Sequence, residues 1–155
     1  MQAIKDFVTE VKLPNFQNIS SHQLLEIIET FLEGNTVLTN LSIDLARLNS
    51  KEKIFEKFGN MKTLKALELS CWRLENREIK ILADFLETND TLTELNIAKI
   101  WYDAEGAKIL LDAIQKSRFL KRLIISKSDK IYTLYAKDLG RMSQDKEFEV
   151  IYLPQ

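Results

Sequence analysis

The stretch Leu92-Thr-Glu-Leu95-Asn-Ile97 places apolar residues at its first, fourth and sixth positions. The same form returns at Leu38, Leu41, Ile43, at Leu64, Leu67, Leu69, and at Leu120, Leu123, Ile125. Weaker copies stand at Val8, Val11, Leu13 and at Phe148, Ile151, Leu153. The first positions are 8, 38, 64, 92, 120 and 148, so the intervals are 30, 26, 28, 28 and 28. Self-similarity at a near-constant period of this size marks a stacked repeat architecture.

Within each copy the last two apolar residues are two apart, the period of a strand with one buried face. The residues that follow change to helical spacing: Leu24, Leu25, Ile28, Phe31, Leu32; Ile54, Phe55, Phe58; Ile79, Leu82, Phe85, Leu86; Ala107, Leu110, Leu111, Ile114; and Ile131, Leu134, Tyr135, Leu139, Met142. Ser20 with Gln23 and Asn49 with Glu52 have the form of capping boxes. Asn76 and Asp103 suit the N-caps of the next two helices. Gly34-Asn35, Gly59-Asn60 and Asn89 supply residues that tolerate a left-handed helix end.

A strand, a crossover helix and a second strand running the same way cannot bury their apolar faces alone, so such units stack. Parallel strands lie about 4.8 Å apart and packed helices about 8–10 Å apart. That mismatch curves the stack, with the sheet on the concave side and the helices on the convex side. The expected fold is α/β: a right-handed horseshoe solenoid of about five strand–helix units plus a closing strand, forming one domain over residues 1–155.

The segment Asn89-Asp-Thr-Leu-Thr-Glu-Leu-Asn-Ile97, followed by Gly106-Ala107 and Leu110-Leu111-Asp-Ala-Ile114, resembles the ribonuclease-inhibitor-type leucine-rich repeat. That repeat also occurs in innate-immune receptors of the nucleotide-binding type and in some bacterial effectors. The resemblance spans residues 8–153 and implies a fold more than a function. It departs from the family in one respect. Where the family has Asn or Cys three residues after the last apolar position, this chain has Phe16, Ala46, Trp72, Ile100 and Ser128, with Cys71 one place early. The buried polar ladder of that turn is expected to be missing.

Composition narrows the function. Apolar residues make up 45% and charged residues 29% of the 155, the mixture of an ordinary globular domain. No apolar run reaches the roughly 18 residues of a membrane helix, and Met1 to Asp6 lack a signal-peptide core. A lone cysteine, Cys71, permits no intrachain disulfide, so a reducing compartment such as the cytoplasm is the natural setting; secretion into a host cell is not legible in the residues. His22 is the one histidine, placed on the first turn of an outer helix, and it stands 49 residues from Cys71. No catalytic constellation, metal cluster or phosphate-binding glycine loop emerges, so no enzyme and no cofactor is expected.

Binding suits the residues better. By the strand register, Asp44, Glu68, Glu94, Asn96, Arg122 and Ile124 point to the concave face, and so does Tyr152 on the last strand. Trp72 and the cluster Ile100-Trp101-Tyr102 lie in the loops after the third and fourth strands. Trp72 and Ile100 are expected to fill the turn core left by the missing Asn or Cys. Trp101, between them and Tyr102, is expected to be exposed, and a partner-binding role for it stands beside the alternative of a plain surface aromatic. Together these residues predict a protein partner bound across the concave sheet and the C-terminal loops. The alternative is an assembly subunit, such as a fragment of a bacterial effector, that self-associates through the solenoid ends. The last strand would then be the open edge, because it has no helix after it.

Charge is uneven along the chain. Residues 1–115 carry 13 basic and 18 acidic side chains, while 116–142 carry eight basic and two acidic. Lys116, Arg118, Lys121, Arg122, Lys127 and Lys130 are either a solvated face or a docking place for an anionic partner. A pI of about 5.9 and the absence of interleaved stacking aromatics weigh against nucleic acid.

Overall fold

The computed structural model describes residues 10–13, 19–49, 51–145 and 147–154; Val8 and Phe16 lie outside them. Six strands form one sheet in chain order: β1 (Glu10–Leu13), β2 (Asn40–Asp44), β3 (Ala66–Cys71), β4 (Glu94–Ile100), β5 (Arg122–Ser126) and β6 (Glu149–Leu153). Every pairing is parallel. The helices α1 (Ser21–Leu32), α2 (Glu52–Phe58), α3 (Asn76–Thr88), α4 (Ala104–Lys116) and α5 (Lys130–Asp145) stand between successive strands. The sheet is open, with β1 and β6 at its edges. This is the expected α/β architecture of leucine-rich-repeat-like units.

The repeated leucines do what their spacing requires. Leu38, Leu64 and Leu92 enter the core ahead of their strands, and Leu41, Ile43, Leu67, Leu69, Leu95, Ile97, Leu123 and Ile125 line its sheet side. The helices meet them with Leu24, Ile28, Leu32, Ile54, Phe55, Phe58, Ile79, Leu82, Leu110 and Ile114. Phe58 links neighbouring helices, its ring 5.8 Å from those of both Phe55 and Phe85. Gly106 permits α4 to approach α3: a Cβ there would stand 2.4 Å from Ile79 Cδ1.

Helix starts agree with the sequence at two of four places. Ser20 and Gln23 form the capping box of α1, and the Asp103 side chain accepts from Gly106 N–H at 2.9 Å. At α2 the cap is Lys51 rather than Asn49, and at α3 it is Glu75 rather than Asn76. One buried carboxylate accounts for both shifts. Glu78 accepts from Glu75 N–H and Lys51 N–H, each at 3.0 Å, and lies 3.4 Å from Lys51 Nζ. It ties the starts of α2 and α3 together, and its charge is met by an ammonium that is buried beside it.

Helix ends correct a second expectation. Gly34 does adopt the left-handed conformation, with φ of 66°. Gly59 and Asn89 do not, having φ of −57° and −77°. Asn89 is buried and serves the next strand instead: its Oδ1 accepts from Thr91 N–H at 3.0 Å and Leu92 N–H at 2.6 Å. Asn35 does the same for Val37 and Leu38, at 3.2 and 2.8 Å. The buried asparagines of this protein therefore brace the turn before the strand.

The last strand departs from the expected register. Leu123 pairs with Val150 and Ile125 with Tyr152, so Val150 and Tyr152 belong to the core side, while Ile151 and Leu153 share the face of Ile124 and Ser126. Tyr152 packs edge-on against Tyr132 of α5 at 5.0 Å, and burial pushes its hydroxyl pKa upward. The expectation that Tyr152 faces the open side is thus corrected. α5 is also less regular than its spacing suggests: Tyr135 breaks the helical dihedrals at φ −129°, ψ 23°, and Leu134 turns out to solvent.

Candidate functional site

The helices seal one face of the sheet and leave the other open. On strands β2 to β4 the residues between the buried ones are all half-exposed: Asn40, Ser42, Asp44; Ala66, Glu68, Ser70; Glu94, Asn96, Ala98. Asp44, Glu68, Glu94, Asn96, Arg122 and Ile124 therefore do share this face, as the alternation requires. Ser126, at its end, is buried.

Near the carboxyl ends of β2 to β5 the open face deepens into a groove of about 840 Å³. Its floor includes Asp44, Glu68 and Ser70; its walls are the following loops, with Trp72, Trp101, Tyr102, Asp129 and Lys130. A bulge builds this rim. Glu68 pairs with Asn96 but Ser70 pairs with Lys99, so β4 spends one more residue than β3 over the same span. Cys71 then lies opposite Ile100, and both are buried. Trp72 and Trp101, each the next residue, turn outward on adjacent loops. Trp72 is 85% exposed and Trp101 49%.

The turn core is filled instead by Leu74 and Tyr102, and Leu74 N–H donates to the Trp101 carbonyl at 2.9 Å. Trp72 as a filler of that core is accordingly a correction, while Ile100 buried and Trp101 exposed are as expected. Because of the bulge, the third residue beyond Ile97 is buried in β4, whereas the third beyond Leu69 lies past the buried position of β3. Seen from the bulge, Cys71 and Ile100 are equivalent positions.

Electrostatics divide the groove into satisfied and unsatisfied groups. Glu68 is held by Ser42 Oγ at 3.2 Å and Lys99 Nζ at 3.1 Å. Asp44 accepts from Ala46 N–H at 2.9 Å, and no cation pairs with it among the described residues. Arg73 lays its guanidinium 4.9 Å from the centre of the Trp101 ring, a distance at which the ring's quadrupole attracts it. Burial pushes the Asp129 carboxyl up to about 6, although it accepts from Ser126 N–H at 2.6 Å. Burial pushes the Cys71 thiol up to about 12, so at neutral pH it is protonated and behaves as a small apolar filler.

The basic stretch is partly neutralised. Lys116 pairs with Glu87 at 2.9 Å, Lys121 with Glu147 at 3.9 Å, and Arg122 bridges Glu94 and Glu149, each at 2.9 Å. That bridge crosses three strands at the amino ends of β4 to β6, away from the tryptophans. Arg118, Lys127 and Lys130 are exposed, and the first two do not line the groove, whereas Lys130 does. Of the six basic residues singled out in the sequence, Lys130 alone lines the groove. Among the described residues no group of His, Cys, Asp and Glu could hold a metal ion, and no helix is long and apolar enough to cross a membrane. His22 faces solvent beside Glu26 at 3.4 Å.

No protein-family model and no curated protein matches the sequence. Among solved structures the fold is similar to one described as "Leiomodin-1 Actin-Binding Site 2 (ABS2)". The TM-score is 0.64 and the identity 19%, over 92% of this chain and 89% of that one. A likeness at this identity speaks for the shared fold.

Proposed function

We propose that this chain is a protein-interaction module whose partner lies across the open sheet face and the loops at the carboxyl ends of β2 to β5. The observation that carries this reading is the pair of exposed tryptophans on the rim of a groove in a face that none of the described helices covers. Large exposed aromatics beside a concavity are the residues that anchor interfaces. Glu68, Glu94, Asn96 and Arg122 would form the polar surround, with Ile124 as an apolar contact among them. The leiomodin-1 actin-binding site 2, as its name says, is a precedent for a protein of this fold that binds a protein.

The finer points belong to the same proposal. The stack curves as a right-handed horseshoe of the ribonuclease-inhibitor-like type, because strands space more closely than helices. It works as a scaffold in a reducing compartment such as the cytoplasm, without catalysis or cofactor. The test is capture from cell extract by the parent and by the variant Trp72→Ala with Trp101→Ala. Proteins retained by the parent and lost from the variant, at an unchanged melting temperature, would support the reading. Equal retention would contradict it.

Self-assembly is the second reading, and it draws on β6, whose outer edge pairs with no strand among the described residues. Such an edge can add a strand from a second copy. Sedimentation that shows one monomeric species at every concentration would remove it.

A further inference from the structure

We propose that the groove takes an extended peptide segment that places a basic side chain, Arg or Lys, against Asp44 and the ring of Trp72. This deepens the interaction reading above and rests on it. Two observations point to this occupant. Asp44 is a half-exposed carboxylate of the groove floor that no cation among the described residues pairs with, whereas neighbouring Glu68 is already held by Lys99. The rim also displays the recognition mode: Arg73 places a guanidinium over Trp101 from within the chain. Trp72, equivalent to Trp101 by the pairing of Cys71 with Ile100, is 85% exposed and carries no cation among the described residues.

The chemistry of such a seat is definite. A guanidinium or ammonium meets the carboxylate through a charge-assisted hydrogen bond. Its aliphatic stem covers the indole ring, and the ring's face attracts the charge. Both tryptophans of the chain lie at this groove, so intrinsic fluorescence reports on it without a label.

The probe is a set of end-capped hexapeptide pools lacking Trp and Tyr, with the third position fixed as Arg, Glu or Leu. Binding is read from the shift and quenching of tryptophan emission in the full chain. The Arg pool should bind about fivefold more tightly than the Glu pool, the equivalent of about 1 kcal/mol for a partly solvated ion pair. That preference should fall below about twofold in Asp44→Asn and stay unchanged in Lys80→Ala, on the exposed side of α3. Because Trp72→Ala removes one reporter, its binding is measured by calorimetry, and it should lose affinity for every pool. Equal binding of the Arg and Glu pools, or a preference that survives in Asp44→Asn, would overturn the proposal while leaving the groove a peptide site. A response from none of the pools would overturn it along with a peptide-binding groove, and would leave the larger interaction surface to be judged by capture.

Discussion

The middle repeats and the last repeat carry the same apolar spacing, 28 residues from Leu64 to Leu92 and 28 from Leu120 to Phe148, yet only the middle ones follow it. In β3 and the first part of β4 every second residue is sealed by a helix, with Leu67, Leu69, Leu95 and Ile97 at most 1% exposed. A slip of one residue there would turn all four into water. In β6 the four residues from Val150 to Leu153 are all half-buried. Neither face is fully sealed, so Val150 with Tyr152 can serve the core about as well as Ile151 with Leu153. Register is strict where one face is dry and lax where both are wet.

That contrast gives the largest expected effect. Leu95→Ala should cost on the order of 2–5 kcal/mol, whereas Ile151→Ala, on the half-exposed open side, should cost less than about 1 kcal/mol. Urea melts of the two variants measure the difference. Leu95→Ala melting with the parent would break the comparison. An equal loss from Ile151→Ala would show that β6 is sealed like the middle strands.

Next in size is the polar bracing of the middle repeats. Asn89→Ala leaves the Leu92 and Thr91 N–H groups without their side-chain acceptor, at a cost of about 1–3 kcal/mol for buried donors left unpaired. The repeat of β5 has no Asn at that place before its strand. Ser117, three residues before Leu120, is buried, and its own N–H donates to Ala113 O at 2.9 Å. Ser117→Ala, measured in the same melts, should therefore cost less than Asn89→Ala. The reverse order would mean that the asparagine turns are not what fixes entry into the strands.

These particulars show where the sequence was legible. The element order, the parallel pairing and the inward leucines followed from the repeat alone, because burial on one face leaves a period that can be counted. Asp44, Glu68, Glu94 and Asn96 followed from the same alternation. Trp72 did not, because a bulge in β4 changes the count without marking itself in the residue types. Tyr152 did not, because a strand with two half-wet faces accepts either pattern. Asn35 and Asn89 were visible at equal distance before Leu38 and Leu92, but they also suit a helix end, and only the hydrogen bonds distinguish the two uses.

The smallest expected effect separates the two regions by pH. Asp129 stands just before α5 in the later part of the chain, and its carboxyl pKa is raised from 3.8 to about 6 by burial. A raised folded pKa gives a stabilising contribution that is complete below about 4 and lost as pH rises through about 6. Asp129→Asn keeps an oxygen for Ser126 N–H and removes the titration. At pH 7.5 the variant should be more stable than the parent by on the order of 1 kcal/mol, and that advantage should vanish near pH 4. Melts across this range check it; an advantage that grows toward acid would reverse the sign.

The central claim is that the helix face folds this chain and the open face binds with it. Among the described residues five large apolar side chains are exposed, and they divide between the two regions. Trp72 and Trp101 rim the groove, whereas Ile27 is on α1, Leu134 on α5 and Phe119 in the turn before β5. Hydroxyl-radical footprinting of the chain, alone and with its captured partner, reads all five at once by mass spectrometry. The account predicts that oxidation of Trp72 and Trp101 falls on binding while Ile27, Phe119 and Leu134 react as before. Protection of those three, with both tryptophans unchanged, would contradict it.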